Sequence, residues 1–286
     1  MSNAIINKMI PSRLWLKVEY YISINKDLNL SNPQTFNEKL QWLKLYDRNP
    51  QYTELVDKLE VRKYISKTIG EDYLIPLIGV WDKFEDIDFD KLPNQFVLKP
   101  THTSGNVFIC KDKSAIDYLK LEKEINDWLE REYYWVHREW PYKNIKPRII
   151  CEKYMVDESG DELKDYKFMC FNGEVKCSFV CLNRNSPKGL NVDFYDMDWK
   201  PMPFERHYSN SGKRTPKPKT FDEMVRISQL LSKDITFVRI DFYEVNGKLF
   251  IGEITFYPGS GFEEFTPESY DYLLGSWIKL PPKYKP

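Results

Sequence analysis

Arg239, Asp241 and Glu253 stand inside two apolar runs, in the stretch "FVRIDFYEVNGKLFIGEITFYPGSG" from Phe237 to Gly261. Charged groups are rare in such runs unless they are paired, hold a metal or line a site. The stretch has the pattern of a β-hairpin, and strand side chains alternate between faces. Even positions (Val238, Ile240, Phe242, then Phe250, Gly252, Ile254, Phe256) give an apolar face. Odd positions (Arg239, Asp241, Tyr243, then Ile251, Glu253, Thr255) give the face that carries chemistry. Equal parities oppose each other only if the loop has three residues, Val245 to Gly247, with Gly247 left-handed as a bulge. That register pairs Glu244 with Lys248, Glu253 with Arg239, and Asp241 with Ile251. Two carboxylates suit a hard cation, which takes oxygen ligands and needs few carboxylates when phosphate supplies the rest. An arginine between them suits a transferring phosphoryl group. A surface salt bridge between Arg239 and Glu253 is the alternative reading.

Other segments offer further chemistry. Lys99 ends the apolar strand "QFVLKP" and leads into "THTSGN", Thr101 to Asn106. A point charge beside a small Gly-containing turn suits phosphate. "DKLEVR" puts Lys58 and Arg62 on one helical face, where a solvated face is the plain reading. "IICEKYM" places polar groups where a strand passes into a hinge, and backbone there can pair with a purine edge. Lys167, Arg184 and Lys200 are cations able to hold a substrate carboxylate. Backbone N–H groups of "PGSG", Pro258 to Gly261, could steady an oxyanion. Asp196-Met197-Asp198 matches the short Asp-x-Asp pattern with which glycosyltransferases hold a metal and a nucleotide sugar. Cys177 and Cys181 lack the partners of a zinc site, so the five cysteines read as reduced core thiols.

The positioning elements follow from pattern. Residues 1–66 read as mainly helical, with a capping box at Thr35 and Glu38. "YLIPLIGVW", "QFVLKP", "VFICK" and "KPRIICEKYM" read as strands, with a helix over 114–134 between the last two. "DYKFMCFNGEVKCSFVCLNR" is a hairpin turning at Asn172-Gly173. Residues 183–219 are loop-rich, and Thr220 with Glu223 makes a second capping box, opening a helix through Ser232. The boundaries expected are 1–93 for a helical region, 94–152 for a lid and 153–286 for a C-terminal subdomain. The 286 residues carry 42 basic and 43 acidic groups, net charge −1, so no global attraction to nucleic acid or anionic lipid follows. No apolar run reaches the length of a membrane helix and none forms a signal-peptide core, which leaves a cytoplasmic location as the default.

In this order the segments resemble the ATP-grasp superfamily, and within it the TupA-like branch of teichuronopeptide biosynthesis. The carriers are "TFNEKLQWLKLYDRNPQYTELVDKLEVRKYI", "FVLKPTHTSG", "CEKYM", "DYKFMCFNGEVK" and the 237–261 hairpin. The resemblance implies an α+β fold with an antiparallel sheet in each half of an ATP cleft. It implies an ATP-dependent carboxylate–amine ligase, with Lys58 and Lys99 on ATP phosphates under a turn containing His102, Ser104 and Gly105. Glu152, Lys153, Tyr154 and Met155 would line the adenine pocket, and Asp165 would reach the ribose. Asp241 and Glu253 would hold Mg²⁺, two ions by the superfamily's habit, and Arg239 the transferring phosphate. Thr255 stands where the superfamily often has Asn, which touches the second ion. The substrates implied are a hexuronic acid of a surface or capsular polysaccharide and an amino acid or other amine. Glycosyl transfer through Asp196 and Asp198 is the rival enzyme reading, and a non-catalytic glycan-binding adaptor is the third.

Overall fold

The computed structural model describes residues 7–157, 163–184 and 189–284. The N-terminal region is helical, as its pattern requires: α1 (Ser12–Ile24), α2 (Phe36–Tyr46), α3 (Gln51–Val56) and α4 (Val61–Ile69). The capping box forms at α2, where Thr35 accepts from the Glu38 amide and Glu38 accepts from the Thr35 amide.

Four strands make an antiparallel lid sheet in the order β1-β4-β2-β3: β1 (Leu77–Trp81), β2 (Phe96–Pro100), β3 (Phe108–Cys110) and β4 (Ile149–Lys153). Its even positions on β2 and odd positions on β4 pack on α5 (Tyr118–Leu129), burying Phe96, Leu98, Ile149 and Cys151 against Leu121, Ile125 and Trp128. The opposite face carries Val97, Lys99, Ile150 and Glu152. The sheet draws β1 from before residue 94, and its core reaches back to Ile87 and Leu92. A short helix α6 (Tyr134–His137) precedes β4.

The second sheet is five-stranded and antiparallel, ordered β10-β9-β5-β6-β7: β5 (Asp165–Phe171), β6 (Glu174–Leu182), β7 (Asn191–Tyr195), β9 (Phe237–Val245) and β10 (Lys248–Thr255). Between them, β8 (Glu205–Arg206) pairs with β11 (Phe265–Thr266). Phe168, Ile240 and their row packs on α7 (Phe221–Leu231), while α8 (Ser269–Trp277) packs on α2. Thr220 makes no side-chain cap at α7, so the second expected capping box does not form. The N-terminal helices share one core with this sheet, and the lid has its own.

The hairpin register differs from the expectation. Asn246 and Gly247 make a two-residue turn, both with positive φ (52° and 75°), so Lys248 pairs with Val245 rather than with Glu244. This is the turn Asn-Gly favours, because its twist matches the strands it joins. The extra residue required by parity lies further along, as a bulge at Gly252 between Ile251 and Glu253. Glu253 therefore faces Asp241, and Thr255 faces Arg239. Before the bulge the faces exchange: Ile251 joins the main core, and Phe250 turns to the side of Tyr243. A Cβ on Gly252 would meet the Tyr243 ring at 2.9 Å, which suits glycine at the bulge.

Candidate active site

One face of the five-stranded sheet carries a row of ions. Lys167 on β5 lies directly across from Asp241 on β9, and Asp241 across from Glu253 on β10. Arg239 grips Asp241 with two hydrogen bonds, Nε to Oδ1 at 2.6 Å and Nη2 to Oδ2 at 2.7 Å. Lys167 bonds both Asp241 and Asp165, the latter at 2.7 Å. Arg184 reaches Asp165 from the surface at 3.1 Å. Burial works against the ionised carboxyl of Asp241, but Arg239 and Lys167 outweigh it and hold its pKa below the ordinary range. Burial alone would lower the pKa of Lys167, and Asp241 reverses this so that it is raised. For Asp165 burial wins and its pKa is raised. Its Oδ1 is buried without a hydrogen-bond partner among the described residues.

The lid sheet faces this row with its own charges. Lys99 pairs with Glu152 at 2.8 Å and Arg62 pairs with the other oxygen of Glu152 at 3.3 Å. Lys58 arrives from the loop between α3 and α4. Its ammonium donates to the carbonyl of Thr103, and its backbone N–H to that of Thr101 at 3.2 Å. Burial lowers the pKa of Lys58, while the charge of Glu253 raises it. The N-terminal lysine, the lid and the C-terminal carboxylates thus converge.

A family model of TupA-like ATPgrasp proteins matches residues 38–279. The chain belongs to the TupA-like ATP-grasp family. Its two antiparallel sheets with flanking helices are the α+β ATP-grasp fold. Among solved structures it is similar to D-alanine–D-alanine ligase from Bacillus anthracis complexed with ATP: 17% identity, 70% of this chain, 54% of that one, TM-score 0.42. It is also similar to D-alanine–D-alanine ligase from Helicobacter pylori: 11% identity, 88% of this chain, 68% of that one, TM-score 0.47. A RimK domain ATP-grasp protein from Sphaerobacter thermophilus gives 9% identity, 82% and 70% coverage and TM-score 0.45. The chain spans little over half the length of the first of these. No curated protein matches it.

In this TupA-like chain the expected site residues fall into three groups. Lys58, Lys99, Glu152, Arg239, Asp241, Glu253, Thr255, Lys167, Asp165 and Arg184 come together as described. Lys153 ends β4, and Tyr154 and Met155 follow it. Lys153 and Met155 line a cavity of about 670 Å³ with Arg62, Leu74, Pro76 and Phe250. Neither Lys99 nor Asp241 lines that cavity. His102 is the residue turned away: its ring bonds the Trp128 carbonyl at 3.1 Å inside the lid, and burial lowers its pKa. Ser104 reaches Tyr133, and Gly105 takes φ +82° in open space.

Two further expectations meet different geometry. In the Pro258–Gly261 turn the Ser260 N–H bonds Tyr257 and the Phe262 N–H bonds Gly259. The Ser260 carbonyl accepts from Gln41 at 3.0 Å and from Lys44 at 2.7 Å, and its hydroxyl bonds Glu139 at 2.5 Å. This loop is held by α2 through its own polar groups, and of its amides that of Ser260 is already engaged within the turn. Asp196 accepts the amides of Asp198 and Lys200 at 3.0 and 2.8 Å, and Asp198 pairs with Lys200. The Asp-x-Asp pair therefore builds an exposed turn at the β7 edge, the far side of the sheet from β10. The buried Lys44 and Glu139, the half-buried Tyr133, and the inward Phe250 escaped sequence reasoning. Only Phe250 left a signal, in the Asn-Gly turn that fixes its parity.

The donor set of Asp241, Glu253 and Thr255 is all oxygen, which fits Mg²⁺. Thr255 Oγ1 lies 3.3 Å from Glu253 and 3.0 Å from Arg239 Nη2. No group of three or more His, Cys, Asp or Glu able to hold a metal occurs among the described residues.

Proposed function

We propose that the chain is an ATP-dependent, ADP-forming carboxylate–amine ligase. The observation that carries this is the gathering of charges around Lys58, which feels Glu253 on one side and the Lys99–Glu152 pair on the other, with Arg239 on Asp241 in the same sheet as Glu253. Such a set neutralises a polyphosphate while keeping oxygen donors for its cation. A substrate carboxylate attacks the γ-phosphorus, and ADP leaves with the β,γ-bridging oxygen. The amine nitrogen then attacks the acyl carbon, loses a proton, and phosphate leaves. Asp241 and Glu253, with Thr255 beside them, would hold Mg²⁺, which when bound would withdraw charge from the phosphate. Lys58 and Lys99 would hold the phosphates, and Arg239, turning from Asp241, the transferred group. Lys167 keeps Asp241 ionised meanwhile, and Asp165 holds Lys167. Arg184, half exposed beside Asp165, would meet the incoming carboxylate. Lys153, Tyr154 and Met155 would take adenine against Phe250. Turning His102 inward leaves Ser104 and Gly105 as the turn residues that would cover the phosphates. We infer that the carboxylate is a hexuronic acid in a saccharide destined for a surface polysaccharide and that the amine is an amino acid or a related amine. Support for this finer reading is the family alone.

The test is a thermal-shift titration with Mg-ATP on wild type and on Asp241→Asn with Glu253→Gln, followed by ADP release over uronic acids and amines. A ligand that binds only the folded state raises the melting temperature with concentration. Stabilisation that the double variant loses, with ADP release needing both a uronic acid and an amine, is the expected result. A response to Mn-UDP-sugars and none to ATP would overturn it.

A further inference from the structure

Helix α1 is apolar on two sides. Its inner side buries Leu16 and Tyr20, with Trp15 and Ile24 packed beside them. Its outer side exposes Leu14, Val18, Tyr21 and Ile22, each more than half accessible. These four fall at i, i+4, i+7 and i+8, one stripe of a helix. Met9 extends the apolar surface beyond the N-terminus, at 72% accessible. A helix that is apolar all round is ordinarily buried all round. Single exposed apolar residues need no explanation, but an aligned stripe of four marks a contact surface.

The charges beside the stripe say what it meets. Arg13 and Lys17 lie along one flank, exposed and without an ion pair among the described residues. Lys8 and Lys26 lie at the two ends, paired with Glu132 and Glu268. Residues 7–27 hold four basic and two acidic groups, against a net charge of −1 for the whole chain. A stripe of Leu, Val, Tyr and Ile with cations on its flank is the make-up of a helix lying in the headgroup layer of an anionic bilayer. A second copy of the chain would bring like charges together and suits the flank less well.

We propose that the outer face of α1 docks on an anionic lipid surface, with Leu14, Val18, Tyr21 and Ile22 entering the acyl boundary and Arg13 and Lys17 at the headgroups. No helix among the described residues is long and apolar enough to span a bilayer, so the association is peripheral. It is independent of the ATP site and of its chemistry.

The experiment is flotation of the full chain with vesicles of phosphatidylcholine, with and without phosphatidylglycerol. Binding is expected only when the anionic lipid is present. Arg13→Gln with Lys17→Gln should lower partitioning about 25-fold, roughly fivefold per charge removed. Leu14→Ser with Ile22→Ser should lower it on the order of a hundredfold, since each loses the burial of one large aliphatic side chain. These positions are exposed, and unchanged melting curves will show the variants fold. As a probe in the otherwise native chain, Tyr21→Trp should add a blue-shifted emission component on anionic vesicles only. The proposal is overturned by failure of the wild type to float, by flotation that survives both pairs of changes, or by an emission at residue 21 indifferent to lipid. It is equally overturned if light scattering shows a dimer that Leu14→Ser with Ile22→Ser dissolves.

Discussion

The two walls of the cleft are both charged, but they are wired differently. On the five-stranded sheet the ions are neighbours by register: Lys167 is the pairing partner of Asp241, and Arg239 is two residues from it on the same strand and face. On the lid only one pair joins neighbouring strands, Lys99 on β2 with Glu152 on β4, and the other cations come from outside the sheet: Arg62 reaches Glu152 from α4, and Lys58 is tied to the turn after β2 from the α3–α4 loop. One wall is thus fixed once its two hairpins are joined along β5 and β9. The other holds its shape only while the N-terminal helices are docked against it. The first wall is also the drier, with Asp241 at 2% accessible. Removing a charge from it should damage the fold, whereas removing one from the lid should damage function and leave the fold nearly intact.

The largest effect expected is at Asp241. Asp241→Ala leaves Arg239 without its bidentate partner and Lys167 with Asp165 alone. Breaking a buried pair by removing one partner typically costs about 3–5 kcal/mol, because a charge is stranded out of water. Urea unfolding should show a loss of that order, together with loss of ATP-dependent turnover. A loss below about 1 kcal/mol, the range of exposed pairs, would erase the contrast between the walls.

Much of that wall was readable from sequence, and the reason is local. Alternation alone put Arg239, Asp241, Glu253 and Thr255 on one face. The same parity required one extra residue on the hairpin, and the structure has one. Its position was not readable, because a mid-strand bulge depends on how Gly252 packs under Tyr243, whereas the loop reading ignored what Asn-Gly prefers. The error exchanged Ile251 with Phe250 and set Glu253 opposite Arg239, where the structure pairs it with Asp241. The lid wall was less legible. Lys99 announced itself at a strand end, but the link from Arg62 to Glu152 spans 90 residues and that from Ser260 to Glu139 spans 121. No spacing rule reports contacts of that kind, and the inward turn of His102 is set by the lid core rather than by its neighbours in sequence.

Next in size is Lys99, which tests the lid wall directly. Lys99→Met keeps most of the aliphatic stem and removes the charge. Glu152 is buried but keeps Arg62, so its charge is not stranded, and stability should change by about 1 kcal/mol. Turnover should fall by about 10²–10³, the usual effect of removing one group that stabilises developing charge. Steady-state ADP release and urea unfolding on the same preparation separate the two quantities. Equal damage to both would show that the lid is wired like the sheet.

Acid titration offers a subtler contrast. Asp271, at the α2–α8 contact, is buried and its pKa is pushed up to about 6 by that burial, against the lowering effect of the Asn37 hydrogen bonds. Its unfolded value is about 3.8. The folded state therefore holds this proton more tightly, so stability is greatest below pH 3.8 and is lost as pH rises through 6. The loss is on the order of 3 kcal/mol. Asp241 behaves oppositely: its pKa is lowered, so its contribution is present above the unfolded value and is lost only in stronger acid. Melting curves between pH 4 and 7 should show Asp271→Asn with a flatter fall than wild type. An unchanged slope would place the titration elsewhere.

The smallest effect belongs to the other carboxylate pair. Asp198 has 74% of its side chain exposed and pairs only with Lys200, an arrangement worth little. Asp196 does more, since it accepts two backbone amides and shapes the turn after β7. Asp196→Ala should cost about 1 kcal/mol, the usual price of such a turn contact. Asp198→Asn should leave both melting temperature and ADP release within about twofold of wild type, because a turn side chain in water has no partner to strand. This variant is the sharpest partner for Asp241→Asn. The two substitutions make the same change in charge, one in the dry wall and one at the wet edge of the same sheet. If Asp198→Asn abolished turnover while Asp241→Asn kept it, the working centre would lie at the β7 edge, and the ionic row would be no more than a structural clamp.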